Sequence, residues 1–131
     1  MGYVSAVKRP FRAQREGRAI ATSEHRRARL SGVGTTRVGA LPAASCLGLH
    51  AEASRAALAD AGLSLRDIDG VICAYSFVEP YPMLSSVFCE YMGIEPAVTF
   101  SLQLGGATGA TMVMQAAALV EAGLARHVLC V

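Results

Sequence analysis

Four cysteines, three histidines and one glycine-rich turn are the parts of this sequence whose residue types could do chemistry. Cys46, Cys73, Cys89 and Cys130 stand far apart, with no Cys-x-x-Cys pair and no clustered histidine, so no metal site is expected. Three of them lie inside apolar runs, where a free cysteine behaves as a small hydrophobe. Reduced thiols in a cytoplasmic protein are the natural reading. The turn Gly105-Gly106-Ala107-Thr108-Gly109 is more specific. Adjacent glycines can bring a ligand close to main-chain N–H groups, and at a helix N-terminus those groups favour an anion, an oxyanion or a thiolate. The competing reading, in which the glycines only shape the turn and let a helix pack on a sheet, is the one this stretch favours by itself.

The elements that must position the turn follow from pattern. Residues 97–102 are β-branched and aromatic, as a strand prefers, and residues 110–122 contain no Gly or Pro and suit a helix. Upstream, residues 30–34 read as a strand running into a turn. The spacing of Gly32 and Gly34 partly imitates a dinucleotide fingerprint, but the third glycine is missing and no helix opens there. Residues 45–61 form the clearest helix, with Leu47, Ala51, Ser54 and Leu58 on one face and Gly62 placed as a left-handed cap. Residues 71–75 are a continuous apolar run suited to a strand covered on both sides. Residues 83–92 recover helical spacing before Gly93, and residues 127–131 begin another buried strand. Tyr75, Phe77, Tyr81, Phe88 and Tyr91 are read as core first and pocket lining second. The alternation β-α-β-α-β-α-β predicts an α/β fold, a mixed and mainly parallel sheet with helices on both faces.

With 131 residues, 53% hydrophobic and 17% charged, the chain has the material for one core. No apolar run is long and uninterrupted enough to cross a membrane. The net charge of +2 hides an asymmetry, because residues 1–30 hold eight of the twelve Lys and Arg, and the remainder is mildly acidic. Nucleic acid is therefore not an expected partner. Residues 1–29 read as a flexible basic leader and residues 30–131 as a partial domain. An apolar strand with no polar end is a poor place for a domain to stop, so the sequence reads as the front portion of a longer protein.

The ordered motifs resemble the thiolase superfamily, specifically the amino-terminal half of lipid-transfer or sterol-carrier-type thiolase-like proteins. The matching stretches are Val33-Gly34-Thr35-Thr36-Arg37-Val38-Gly39, Ala59-Asp60-Ala61-Gly62-Leu63, Asp67-Ile68-Asp69-Gly70-Val71, the glycine turn, and Ala122-Gly123-Leu124-Ala125. The likeness extends over about residues 30–131. In that family the turn carries Cys-x-Ser-Gly, its cysteine accepting an acyl group at the helix N-terminus, where a thiol is readily ionised. Here the motif falls on Gly106-Ala107-Thr108-Gly109, so Gly106 stands at the nucleophile's place and Gly105, Ala107, Thr108 and Gly109 at the substrate-binding backbone.

The resemblance implies a piece of an acyl-CoA-using, acyltransferase-like protein without its usual cysteine, taking a CoA thioester as substrate and needing no other cofactor. Two alternatives are a cysteine-less aldolase or lyase acting on a β-hydroxyacyl-CoA, by general acid/base groups and an oxyanion site, and a non-catalytic subunit binding lipids or CoA esters. None of the four cysteines is an obvious substitute nucleophile, although Cys89 stays open because the loop before it approaches a partner's site in the family. His25, His50 and His127 match no family motif and read as structural or exposed. Family members pair across a two-fold axis through the strand before the turn, which implies a homodimer through residues 97–102, or a hetero-assembly with a thiolase-like or OB-fold partner.

Overall fold

The computed structural model describes residues 4–8 and 27–131. Five strands form one sheet in the order β2-β1-β5-β3-β4, where β1 is Val4–Lys8, β2 Arg29–Gly34, β3 Gly70–Ala74, β4 Val98–Leu102 and β5 His127–Cys130. Strand β1 runs antiparallel to both its neighbours, β2 and β5, while β5, β3 and β4 are mutually parallel. Four strands therefore point one way and only β1 the other, which is the mixed, mainly parallel sheet expected.

Strand β1 corrects the reading of residues 1–29 as a flexible leader. Residues 4–8 sit in the interior of the sheet, with Ala6 and Val7 fully or almost fully buried. A five-residue strand carries too short an alternation to stand out beside so many arginines, and its pairing partners are remote in sequence. The rest of that reading, residues 1–3 and 9–26, lies outside the described residues.

Three helices cover the sheet: α1 Cys46–Ala61, α2 Leu84–Met92 and α3 Thr108–Ala122. Ser45 caps α1, its hydroxyl accepting the Gly48 N–H at 3.1 Å, and Gly62 ends it in the left-handed region. Alternation along β3 and β5 sorts the core into two layers. Val71, Cys73 and Leu129 face α1 and α2 with Leu58, Leu84 and Phe88, whereas Ile72, Val128 and Cys130 face α3 with Met112, Ala116 and Val120.

Helix α1 lies unusually close to β2. A Cβ built on Gly32 would overlap the Ala57 carbonyl and stand 2.7 Å from the Ala61 nitrogen, and one on Gly34 would overlap the Ala53 carbonyl. The glycines that imitate a dinucleotide fingerprint are thus where β2 receives the alanine-lined face of α1. Another stretch of the resemblance, Asp67-Ile68-Asp69-Gly70-Val71, also has a mechanical role. The Asp69 carboxylate accepts the Arg126 N–H at 2.8 Å and the His127 N–H at 2.9 Å, and its carbonyl accepts the Ala97 N–H at 2.9 Å. One aspartate thereby ties together the starts of β3 and β5 and the segment entering β4. Asp67 accepts from the Ser64 N–H and hydroxyl, which holds its carboxyl below the usual carboxylate range.

The aromatic group divides rather than clustering. Phe88 is fully buried, Tyr81 packs on the same layer, and Tyr75, Phe77 and Tyr91 are exposed, Phe77 by 80%. Only residues on the inner face of α2 obey the helical spacing; Tyr75 and Phe77 sit in the loop after β3. Among the described residues no helix is long and apolar enough to cross a membrane.

Candidate functional site

Because β2, β3, β4 and β5 run in one direction, their carboxyl ends share one edge of the sheet, the edge at which open α/β folds bind ligands. Two features lie along it: the glycine turn after β4, and a cavity at the ends of β2, β3 and β5.

The turn is built by its own hydrogen bonds. Residues Gly105–Ala107 form a short 3-10 turn leading directly into α3, which begins at Thr108 rather than Ala110, so Gly109 belongs to the helix. Gly105 has φ +59°, a left-handed conformation that favours glycine. The Thr108 hydroxyl accepts the Leu104 N–H at 2.9 Å and donates to the Gly105 carbonyl at 2.8 Å, so it staples the turn with both its capacities. No side chain caps the start of α3, and residues 103–107, 109 and 110 are exposed. Gly106 differs from Gly105: its φ is not in the left-handed region, and a Cβ there would meet no atom within 4 Å. Neither backbone conformation nor space requires glycine at Gly106.

The cavity, of about 560 Å³, lies between the loop that follows β2 and the loop that follows β3, with α1 as its wall. That size suits a small ligand. Val38, Leu41, Leu49, Ala53, Val78 and Val131 give it an apolar lining, and Arg37 and Glu79 contribute charge. Cys46 and His50, one turn apart on α1, also line it. The His50 Nδ1 lies 2.8 Å from the Cys46 carbonyl oxygen and 3.4 Å from the Cys46 Sγ, and its ring tilts against Phe88 at a centroid distance of 6.1 Å.

The other cysteines are closed off. Burial pushes the Cys130 thiol up to about 12 and the Cys73 thiol higher still. Cys89 is buried too, and burial raises its thiol, a Thr99 hydroxyl at 3.7 Å opposing the shift. His127 has its Nδ1 2.8 Å from the Asp67 carbonyl oxygen and joins the start of β5 to the segment leading into β3; His25 lies outside the described residues. Among the described residues no group of three His, Cys, Asp or Glu could hold a metal ion. The pairing of Cys46 with His50 escaped sequence reading, although the spacing Cys-x-x-x-His on one helix face was the available signal.

No protein-family model and no curated protein matches the sequence. Solved structures do match. The priming β-ketosynthase from the R1128 polyketide biosynthetic pathway is 32% identical and superposes with a TM-score of 0.61 over 70% of this chain and 28% of its own. A cysteine-to-serine variant of Xanthomonas campestris OleA with bound lauric acid and lauroyl-CoA is 20% identical, with a TM-score of 0.56 over 64% of this chain and 26% of its own. A histidine-to-asparagine variant of the same OleA with cerulenin gives 21% and 0.54, over 63% and 26%. The fold is thiolase-like, as in this β-ketosynthase and OleA, and the chain spans only about a quarter of the length of either.

Proposed function

We propose that this chain is part of a thiolase-like protein that uses acyl-CoA thioesters and has lost the cysteine nucleophile at its glycine turn. The observation that carries the reading is the turn itself: a strand, an uncapped helix start and Gly106 at a site with room for a side chain. A thioester carbonyl placed there would be polarised by main-chain N–H groups and the helix dipole, the kind of preorganised donor set that stabilises an oxyanion. The bound lauroyl-CoA in the OleA structure is the chemistry of that protein, and it recommends the same substrate class here.

With no thiol at Gly106, the reaction open to the turn is general acid/base cleavage of a β-hydroxyacyl-CoA or simple retention of a CoA ester, as in the lipid-transfer branch. The open, unwalled turn favours a site completed by another protein surface. Among the described residues strand β4 lies at the edge of the sheet with one side unpaired, in keeping with a dimer or hetero-assembly formed through it. Its exposed backbone is the piece a partner strand would extend.

The test is direct. Equilibrium binding of lauroyl-CoA to the chain is expected, and Gly106→Cys should acquire a covalent acyl group detectable by intact mass. A Gly106→Cys protein that folds and is never acylated there would refute the assignment of the turn. In gel filtration, Val98→Pro should convert dimers to monomers; an unchanged dimer would remove β4 as the interface.

A further inference from the structure

We propose that the cavity between the loops after β2 and β3 binds a free α-amino acid with an apolar side chain, Arg37 holding its carboxylate and Glu79 its ammonium group. The inference stands apart from the thioester reading, because no residue of the glycine turn lines this cavity.

The charge pattern comes first. Each loop gives the cavity one charged residue directly beside one apolar residue, Arg37 with Val38 on one side and Val78 with Glu79 on the other. The two charges are opposite, so the loops match a ligand that carries both signs better than one that carries either alone. A guanidinium offers paired donors to a carboxylate, and the Glu79 carboxylate accepts from an ammonium group. An α-amino acid presents both groups on one carbon and leaves its side chain for the apolar part. Val38 and Val78 line the cavity and are yet 79% and 91% exposed. With Leu49, Ala53 and Val131 deeper in, these two valines leave apolar area that a ligand's side chain would cover.

The walls are tied before any ligand arrives. The Ala44 N–H donates to the Leu41 carbonyl at 3.0 Å, which closes a turn in the loop after β2. In the loop after β3 the Ser76 hydroxyl accepts the Glu79 N–H at 3.3 Å. Val131 is fixed to the sheet, its N–H donating to the Ile72 carbonyl at 2.9 Å. A cavity held in this way loses little freedom when it is filled, so modest contacts suffice for binding. Its volume of about 560 Å³ admits a molecule the size of leucine or phenylalanine, and it lies at the sheet edge where open α/β folds bind ligands.

The whole chain is titrated calorimetrically with leucine and phenylalanine, and with isocaproate and isoamylamine, which are leucine without its amino group and without its carboxylate. Both amino acids are expected to bind. Each analogue should bind about three- to tenfold more weakly than leucine, because it loses one charged pair at a partly solvated position. Arg37→Gln should weaken leucine and isocaproate by that factor and spare isoamylamine. Glu79→Gln should weaken leucine and isoamylamine and leave isocaproate unchanged or tighter. Both positions lie on loops outside the core, so the thermal unfolding curve should not move. Isocaproate or isoamylamine binding as tightly as leucine would overturn the inference, and so would leucine binding that neither substitution weakens. Failure of both amino acids to bind at millimolar concentration would overturn it too, whatever lauroyl-CoA does.

Discussion

Replacing Gly34 by alanine should destabilise this fold far more than replacing Gly106, although both glycines belong to the motifs that carry the family resemblance. At Gly34 the added Cβ would stand 2.5 Å from the Ala57 nitrogen and closer still to the Ala53 carbonyl, and both obstacles are helix backbone. To restore an ordinary contact of 3.4 Å, α1 must retreat from β2 by about 1 Å. A gap of that size forfeits a quarter to a half of the dispersion attraction across the layer holding Ala53, Ala57 and Leu58. Together with the strain of overpacking, this amounts to about 3 kcal/mol, or a fall in Tm of about 10 °C for a domain of this size. Trimming helix side chains should not rescue it, because Ala56→Gly removes only a Cβ at 3.0 Å and leaves both backbone atoms. Gly106→Ala meets nothing within 4 Å, and by restricting the unfolded chain should be neutral or stabilising by up to about 1 kcal/mol. Thermal and urea unfolding of the two variants beside the parent decide the matter. Equal stability of Gly34→Ala and Gly106→Ala would refute the argument that close approach of α1, rather than turn formation, requires glycine in β2.

Three further outcomes follow from individual contacts. Asp69→Ala leaves the Arg126 and His127 N–H groups without their charged acceptor and should cost about 2–3 kcal/mol in urea unfolding, with Asp69→Asn intermediate. Ser54 has a fully buried hydroxyl without a partner, so Ser54→Ala should be neutral or stabilising by about 1 kcal/mol, measured the same way. The pH dependence comes from the buried thiols. Burial raises the Cys130 thiol from the ordinary 9.0 to about 12, so the folded state holds its proton where the unfolded state releases it. Stability from this group is therefore complete below pH 9 and declines as pH climbs from 9 towards 12, and Cys130→Ala should flatten that decline in Tm measured across the range.

The parts of this fold written as local pattern were legible in the sequence. Helix α1 announces itself by Ser45, a repeating apolar face and Gly62, and the glycine caps Gly93 and Gly123 end α2 and α3 where expected. What escaped was non-local. The pairing of β1 with β2 and β5 joins residues that no short window contains together, and its five residues are surrounded by a basic composition. The same limit hid the meaning of Gly32 and Gly34, which is visible only when Ala53, Ala57 and Ala61 are laid against them. At the candidate site, the turn was found because its residues are contiguous. The cavity was missed because its walls come from residues 35–53, 76–79 and 131.

Glycine therefore has three distinct physical meanings in one short chain, and only one of them bears on chemistry. Gly32 and Gly34 are required by a neighbouring backbone, and Gly105 by its own left-handed conformation. Gly106 is required by neither, so the fold does not explain why a side chain is missing there. Had Gly106 been needed for the turn, its lack of a thiol would carry no functional information. Because a Cβ fits freely at Gly106, glycine there is not a demand of architecture, which is what the proposed loss of a nucleophile requires. The retained hydrogen bonds of Thr108 preserve the shape of the turn without that thiol.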